Sequence, residues 1–285
     1  MRGLSSVLVA LSAACGGGAG DAPADAGSRA DGHVEAGNRD GGGHEDGGPP
    51  VDGSPDAASF DSGAPPDAGP LRLLVFSRTE GYRHASIADG VAMLRELAGE
   101  RGWLVEHTEE LEPFTTAGLA AFDSVVFLNT TGDVLDAEHE TALEAFVRGG
   151  GGWAGVHSAS DTEYDWPFYG ELVGAWFLTH PAVQEATIVV EDRTHPATAH
   201  LGERWMRRDE WYDFVANPRD AVTVLLSLDE STYSGGSMGD HPIAWHHEVG
   251  KGRAFYTGGG HTAESYAEPA FRAHVAGGIE WAARR

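Results

Sequence analysis

Residues 149–159 read GGGGWAGVHSA, and the parsing of this stretch decides the fold. The four glycines, Gly149 to Gly152, stop any helix before them, and Trp153–Val156 is a short apolar run suited to a buried strand. The next residues, Gly155-Val156-His157-Ser158-Ala159, set small residues around large ones in the form of a nucleophile elbow. Small flanks let a strained strand-to-helix turn hold its middle side chain at the top of a sheet. In an acyl-transfer enzyme that side chain is Ser or Cys. Here it is His157, and Ser158 is out of register. A purely structural turn would read the same way. In either case, a glycine turn, a buried strand and a tight turn are parts of a parallel α/β unit.

Working outward, Leu71–Phe76, Trp103–His107 and Val125–Leu128 also read as strands. Between the first two, Ser86–Arg101 carries Ile87, Val91, Leu94 and Leu97 at helical spacing, and Gly102 follows. Asp136 is placed to cap a helix through Arg148, with Leu143, Phe146 and Val147 on one face. Strands alternating with helices imply an α/β fold with a mostly parallel sheet covered on both faces. The second half is less regular. Ala186–Val190, Val222–Leu226, Ile243–His247 and Ala254–Thr257 are strand candidates, Gly250-Lys251-Gly252 forms a hairpin turn, and Pro269 opens a final helix through Ala283.

The fold begins near Leu71, because residues 16–70 are almost wholly Gly, Ala, Asp and Pro. Such a segment buries too little apolar surface to offset ordering its backbone, so it is expected to be a disordered acidic tether ahead of one domain, 71–285. Residues 1–15, MRGLSSVLVALSAAC, have one Arg, an apolar run and small residues before the chain's only Cys. This layout reads as an exported lipoprotein's signal peptide ending at Cys15, the lipid-bearing residue, with a bacterial membrane as its only membrane contact; an ordinary short signal peptide with an incidental Cys would have the same layout. Net charge is −25, of which −17 falls on 71–285, so nucleic acid and anionic membrane surfaces are poor partners.

In open parallel sheets, ligands bind beyond the carboxyl ends of the strands. Those ends run into Ser77–His84, Asn129–Asp133 (with Thr131), His157–Ala159 and Gly258–Thr262, and three of the four carry His84, His157 and His261. Asp209-Glu210-Trp211-Tyr212 sets carboxylates beside aromatic rings, which suits a sugar: carboxylates accept its hydroxyls and rings cover its apolar faces. A strand end with a buried Trp would look the same. Asp161 directly follows the elbow and can close over the same rim. His180 is stiffened by Pro181, which serves a ligand, a base or an ordinary turn equally.

Taken in order, seven segments resemble the trehalose-utilisation, or ThuA-like, family: LVFSRTEGYRHASI, VVFLNTTGDVL, GGGWAGVHSASDTEYDWPFYGELVGAWFLTHP, VEDRTHPATAHL, RRDEWYDF, LDESTYSGGSMGDHPIAWHHE and GRAFYTGGGHTAESY. The resemblance implies a flavodoxin-like, three-layer fold similar to class I glutamine amidotransferases. It puts His157 in the place of the amidotransferase Cys, which removes the glutaminase reaction. It also implies a role in using trehalose or related disaccharides, with 3-keto sugars as intermediates.

Two functions follow. One is an enzyme of sugar catabolism (isomerase, hydratase, lyase or hydrolase). His157 and His261 would be its acid and base, Glu210 their carboxylate partner, and His84 would orient substrate. Asp161, His180, Trp211, Tyr212, Asp209 and Thr131 would contact the sugar. The other is a non-catalytic sugar-binding lipoprotein, which does not need several histidines at one rim; their number favours the enzyme. No cofactor is expected. A divalent metal on the histidines stays open, since no His-x-x-x-His spacing occurs. His157 and His261 should face one another across a single pocket, with His157 exposed at its rim. Cys15→Ala is expected to leave the precursor uncleaved or release soluble protein; normal processing with retention at the membrane would refute the anchor.

Overall fold

The computed structural model describes residues 69–285, so the expected leader, Cys15 and the tether up to residue 68 lie outside the described residues. Among the described residues no helix is long and apolar enough to cross a membrane. The strands are β1 Arg72–Phe76, β2 Leu104–Thr108, β3 Ser124–Leu128, β4 Gly152–Val156, β5 Phe177–Thr179 and β6 Gln184–Val190. They continue with β7 Arg204–Asp209, β8 Asp213–Phe214, β9 Thr223–Leu228, β10 Pro242–Val249 and β11 Gly252–Thr257. The helices are α1 Ile87–Arg101, α2 Thr116–Leu119, α3 Ala137–Gly149, α4 Pro167–Val173, α5 Ala263–Ala267 and α6 Pro269–Ala282.

Nine strands form one sheet in the order β2-β1-β3-β4-β11-β10-β9-β6-β7, and β5 pairs with β8. From β2 to β11 neighbours are parallel. From β11 to β7 each neighbour is antiparallel, so β10 and β6 oppose the other seven strands. The sheet is mostly parallel, as expected, but its second half is an antiparallel extension. Sequence reading passed over β7 because two of the three side chains it turns inward, Arg207 and Asp209 beside Trp205, are charged.

The central strands β3 (SVVFL) and β4 (GWAGV) are buried throughout, as strands covered on both faces must be. Neighbouring residues on a strand point to opposite faces. Leu128 accordingly closes on Gly90 of α1 beside Tyr266 of α5. Phe127, on the other face, meets Trp153 and Tyr169 of α4, with ring centroids 5.9 and 5.8 Å apart. Helix, sheet and helix make three layers. Caps behave as the sequence implies: Asp136 accepts from the backbone N–H groups of Glu138 and His139, and Gly102 takes φ 72° after α1. At Gly252 a Cβ would lie 2.2 Å from the Val147 carbonyl oxygen, so only glycine lets the β10–β11 hairpin return against α3.

The carboxyl rim is stitched together by Glu163. Its Oε1 accepts from the backbone N–H groups of Val134 and Leu135 at 2.8 and 2.7 Å, joining the loops after β3 and β4. Burial, with Asp133 adding to it, raises its pKa from 4.5 to about 8. The folded chain therefore holds a proton that the unfolded chain releases above pH 4.5, and stability falls as pH rises from 4.5 towards 8. Glu163→Gln keeps the accepting oxygen and removes the titration. Its melting temperature should exceed wild type at pH 8 and converge with it towards pH 4.5; a gap independent of pH would refute the assignment.

Candidate functional site

Four chain segments bring their side chains together at the carboxyl ends of the strands. The elbow after β4 places His157 with φ 52°, a backbone conformation uncommon for a residue with a Cβ, at the head of a 3-10 turn through Ser160. The Tyr256 hydroxyl donates to the His157 carbonyl oxygen at 2.8 Å and holds this turn. His84 comes from the loop after β1, Glu210 directly follows β7, and His261 follows the glycines after β11.

The imidazoles meet around one carboxylate. His157 Nε2 lies 3.2 Å from His261 Nδ1 and 3.5 Å from Glu210 Oε2, and His261 Nδ1 lies 3.0 Å from the same oxygen. The other oxygen, Oε1, is 3.0 Å from His180 Nδ1. The His84 ring stands edge-on to both His157 and His261, with centroids 4.8 and 5.1 Å away, and its Nδ1 is 3.3 Å from Ser158 Oγ. His157 and His261 thus meet in direct contact and do not face one another across the pocket. Nor is His157 an exposed rim group: it is completely buried, with its ring centroid 4.3 Å from that of Tyr212 and the rings tilted by 35°. Its removal would leave a hole in the packing as well as in the site.

The environment divides the charges among these groups. Burial, reinforced by His157 and His261, lowers the His84 pKa to about 3, which keeps that ring neutral. The hydrogen bond to Glu210 raises that of His261 against the opposing effect of burial. Burial pushes the Glu210 carboxyl up, but His157 and His261 outweigh it and hold the group well below the usual carboxylate range.

His84, Glu210 and His261, but not the buried His157, line a pocket of about 500 Å³ whose walls also include Tyr82, Asp161, Phe177, His180 and Tyr212. Three residues expected to touch a sugar do not reach it. Trp211 is fully buried and donates its indole N–H to the Gln184 carbonyl oxygen, so it is a core residue. Asp209 is equally buried, and the Thr131 hydroxyl donates to the Tyr82 carbonyl oxygen at 2.8 Å. The extended chain alternates its side chains, so Glu210 and Tyr212 face the pocket while Asp209 and Trp211 face inward. Two lining residues were missed. Tyr82 stood in a quoted rim loop with nothing to single it out, and Phe177 lies on the short strand β5, which has no periodic signal. A second depression of about 420 Å³ near Phe122, Phe146 and Gly149–Gly151 has no histidine.

Asp209 has a positioning role instead. It accepts from the backbone N–H groups of Gly260 and His261 at 2.8 and 3.1 Å and from Ser265 Oγ at 2.9 Å, and pairs with Arg207 at 3.0 Å. Asp209→Asn keeps the shape and removes the charge. Breaking a buried pair from one side is expected to cost on the order of 3 kcal/mol in urea unfolding. An unchanged unfolding midpoint would show that this carboxylate does not hold the His261 loop.

Comparisons with known proteins agree with this architecture. A ThuA-like protein from Bacteroides uniformis is 22% identical, with a TM-score of 0.65 over 77% of this chain and 94% of that one. A ThuA-like protein from Parabacteroides merdae is 20% identical, with a TM-score of 0.65 over 75% of this chain and 90% of that one. A cytoplasmic protein from Salmonella typhimurium is 13% identical, with a TM-score of 0.53 over 75% of this chain and all of that one. At these identities the likeness shows the fold, a flavodoxin or glutamine amidotransferase-like one. No curated protein matches by sequence. The family model described as ThuA, trehalose utilisation, matches residues 72–282. The chain therefore belongs to the ThuA family, which is linked to trehalose utilisation.

Proposed function

We propose that this protein is an enzyme of carbohydrate utilisation that binds a disaccharide or its 3-keto derivative and moves a proton on it by histidine acid/base chemistry. The observation that carries this reading is the meeting of His157, His180 and His261 on the two oxygens of one nearly buried carboxylate, Glu210, at the wall of the pocket. A protein that only holds a sugar needs aromatic surfaces and hydroxyl acceptors, which Tyr82, Phe177 and Asp161 provide. It has no use for several imidazoles against a desolvated carboxylate, an arrangement typical of groups tuned for proton transfer.

In this reading the sugar stacks on the exposed Tyr82 ring and hydrogen-bonds through Asp161. His180 and His261, one beside each Glu210 oxygen, are the groups at the pocket surface that can pass a proton. Beside a ketone, one takes the proton from the adjacent carbon while the other gives one to the oxygen that gains negative charge. Isomerisation beside the ketone and elimination from a keto sugar both need this pair of transfers. Export and anchoring through Cys15 would place the chemistry outside the cytoplasm.

The test combines calorimetry with trehalose and 3-keto-trehalose and nuclear magnetic resonance of the incubated sugars. One of the two sugars should bind and be converted. His261→Ala should slow conversion by roughly 100-fold or more while weakening binding far less. Tight binding with no conversion of either sugar would identify a binding protein instead, and no binding would remove the sugar reading.

A further inference from the structure

We infer that His84, His157, Glu210 and His261 form a binding site for a divalent first-row transition-metal ion, with an open position towards the pocket. The ion's chemical use rests on the sugar-site reading above; its binding rests on these four side chains alone. One ligand atom from each lies within 4.8 Å of the other three.

The tautomers make the case. His157 Nδ1 is 2.9 Å from the Gly258 carbonyl oxygen, which can only accept, so Nδ1 carries a proton and the neutral ring presents its Nε2 lone pair to the cluster. That lone pair faces His261 Nδ1 and Glu210 Oε2 at 3.2 and 3.5 Å, and those two are 3.0 Å apart. One proton on His261 Nδ1 can be shared along two edges of this triangle, but it leaves the His157 Nε2 and Glu210 Oε2 acceptors opposed along the third. A cation satisfies all three. Metal–ligand bonds of about 2.0–2.2 Å put neighbouring ligand atoms about 2.8–3.6 Å apart in octahedral or tetrahedral geometry, the range these edges occupy.

The surroundings are those of ligands held for a metal. His157 donates its other ring N–H to a backbone carbonyl, and His84 Nδ1 is engaged by Ser158 Oγ, which leaves its Nε2 for the cluster. The second Glu210 oxygen is held by His180, and the His261 backbone by Asp209. Imidazole donors with one carboxylate suit zinc, manganese, iron or cobalt rather than calcium or magnesium. The cluster of Asp213, Glu230 and His241 is a useful contrast. There His241 Nε2 faces the Tyr212 carbonyl oxygen and Nδ1 faces Glu230 Oε1, each at 2.8 Å, with the Tyr233 hydroxyl 3.1 Å from Nδ1, so both ring nitrogens are already engaged within the protein. A bound ion would polarise a sugar carbonyl or hydroxyl oxygen, and proton transfer would fall to His180.

The experiment uses the full chain. Stripped with EDTA and titrated with Zn²⁺ or Co²⁺ in a calorimeter, it should take up about one equivalent, and bound Co²⁺ should give visible absorption bands. His261→Ala and Glu210→Gln should each weaken uptake at least about tenfold, while His139→Ala, on α3, should not. His261 is only partly buried, so its variant reads the site even where Glu210→Gln fails to fold. Absence of uptake, or uptake undiminished in His261→Ala, overturns the site. Sugar conversion by stripped protein that takes up no metal would sink the metal and leave the proposed function. Metal uptake without binding of either sugar would do the reverse.

Discussion

A buried ion pair between Arg207 and Asp209 ties the last strand of the sheet to the loop that follows its middle strand. The side chains are 4% and 0% exposed. Taking both charges out of water costs several kcal/mol per ion, and that cost is offset only where the remaining hydrogen-bonding groups are filled. They are filled here: Arg207 also reaches Glu268 and Ser265, and Asp209 takes two backbone N–H groups from the His261 loop. The pair therefore fixes His261 by its backbone, and because Glu210 follows Asp209 directly, it also fixes which way Glu210 turns.

From that anchor the electrostatics of the site follow. Imidazoles so close together cannot all be charged, and they share one carboxylate. His84, where burial is reinforced by its imidazole neighbours, stays neutral, while His261 is drawn towards the charged form by Glu210. The elbow supplies the remaining element. Positive φ at His157 is a strained conformation, and the Gly258 carbonyl and the Tyr256 hydroxyl hold it in place.

Much of the fold was legible in the chain because its signals are local. Continuous apolar runs marked β1, β3 and β4; Asp136 and Gly102 marked helix ends; and Gly250-Lys251-Gly252 marked the hairpin. The candidate site was partly legible for the same reason, since His84, His157 and His261 each follow a strand that could be recognised. Where the inward-facing groups were charged, as on β7, or the strand was only a few residues long, as in β5 and β8, periodicity carried no signal.

The sequence by itself determined that strands and helices alternate and that histidines fall at the carboxyl ends of several strands, because strand length, glycine turns and caps act over a few neighbouring residues. Only the tertiary structure decided that these histidines share Glu210, that Trp211 and Asp209 are core groups, and that His157 is sealed from solvent. Those outcomes depend on a buried pair and on contacts between residues about 50 to 100 positions apart, and on the side to which an extended segment turns alternate side chains once the sheet edge has been anchored.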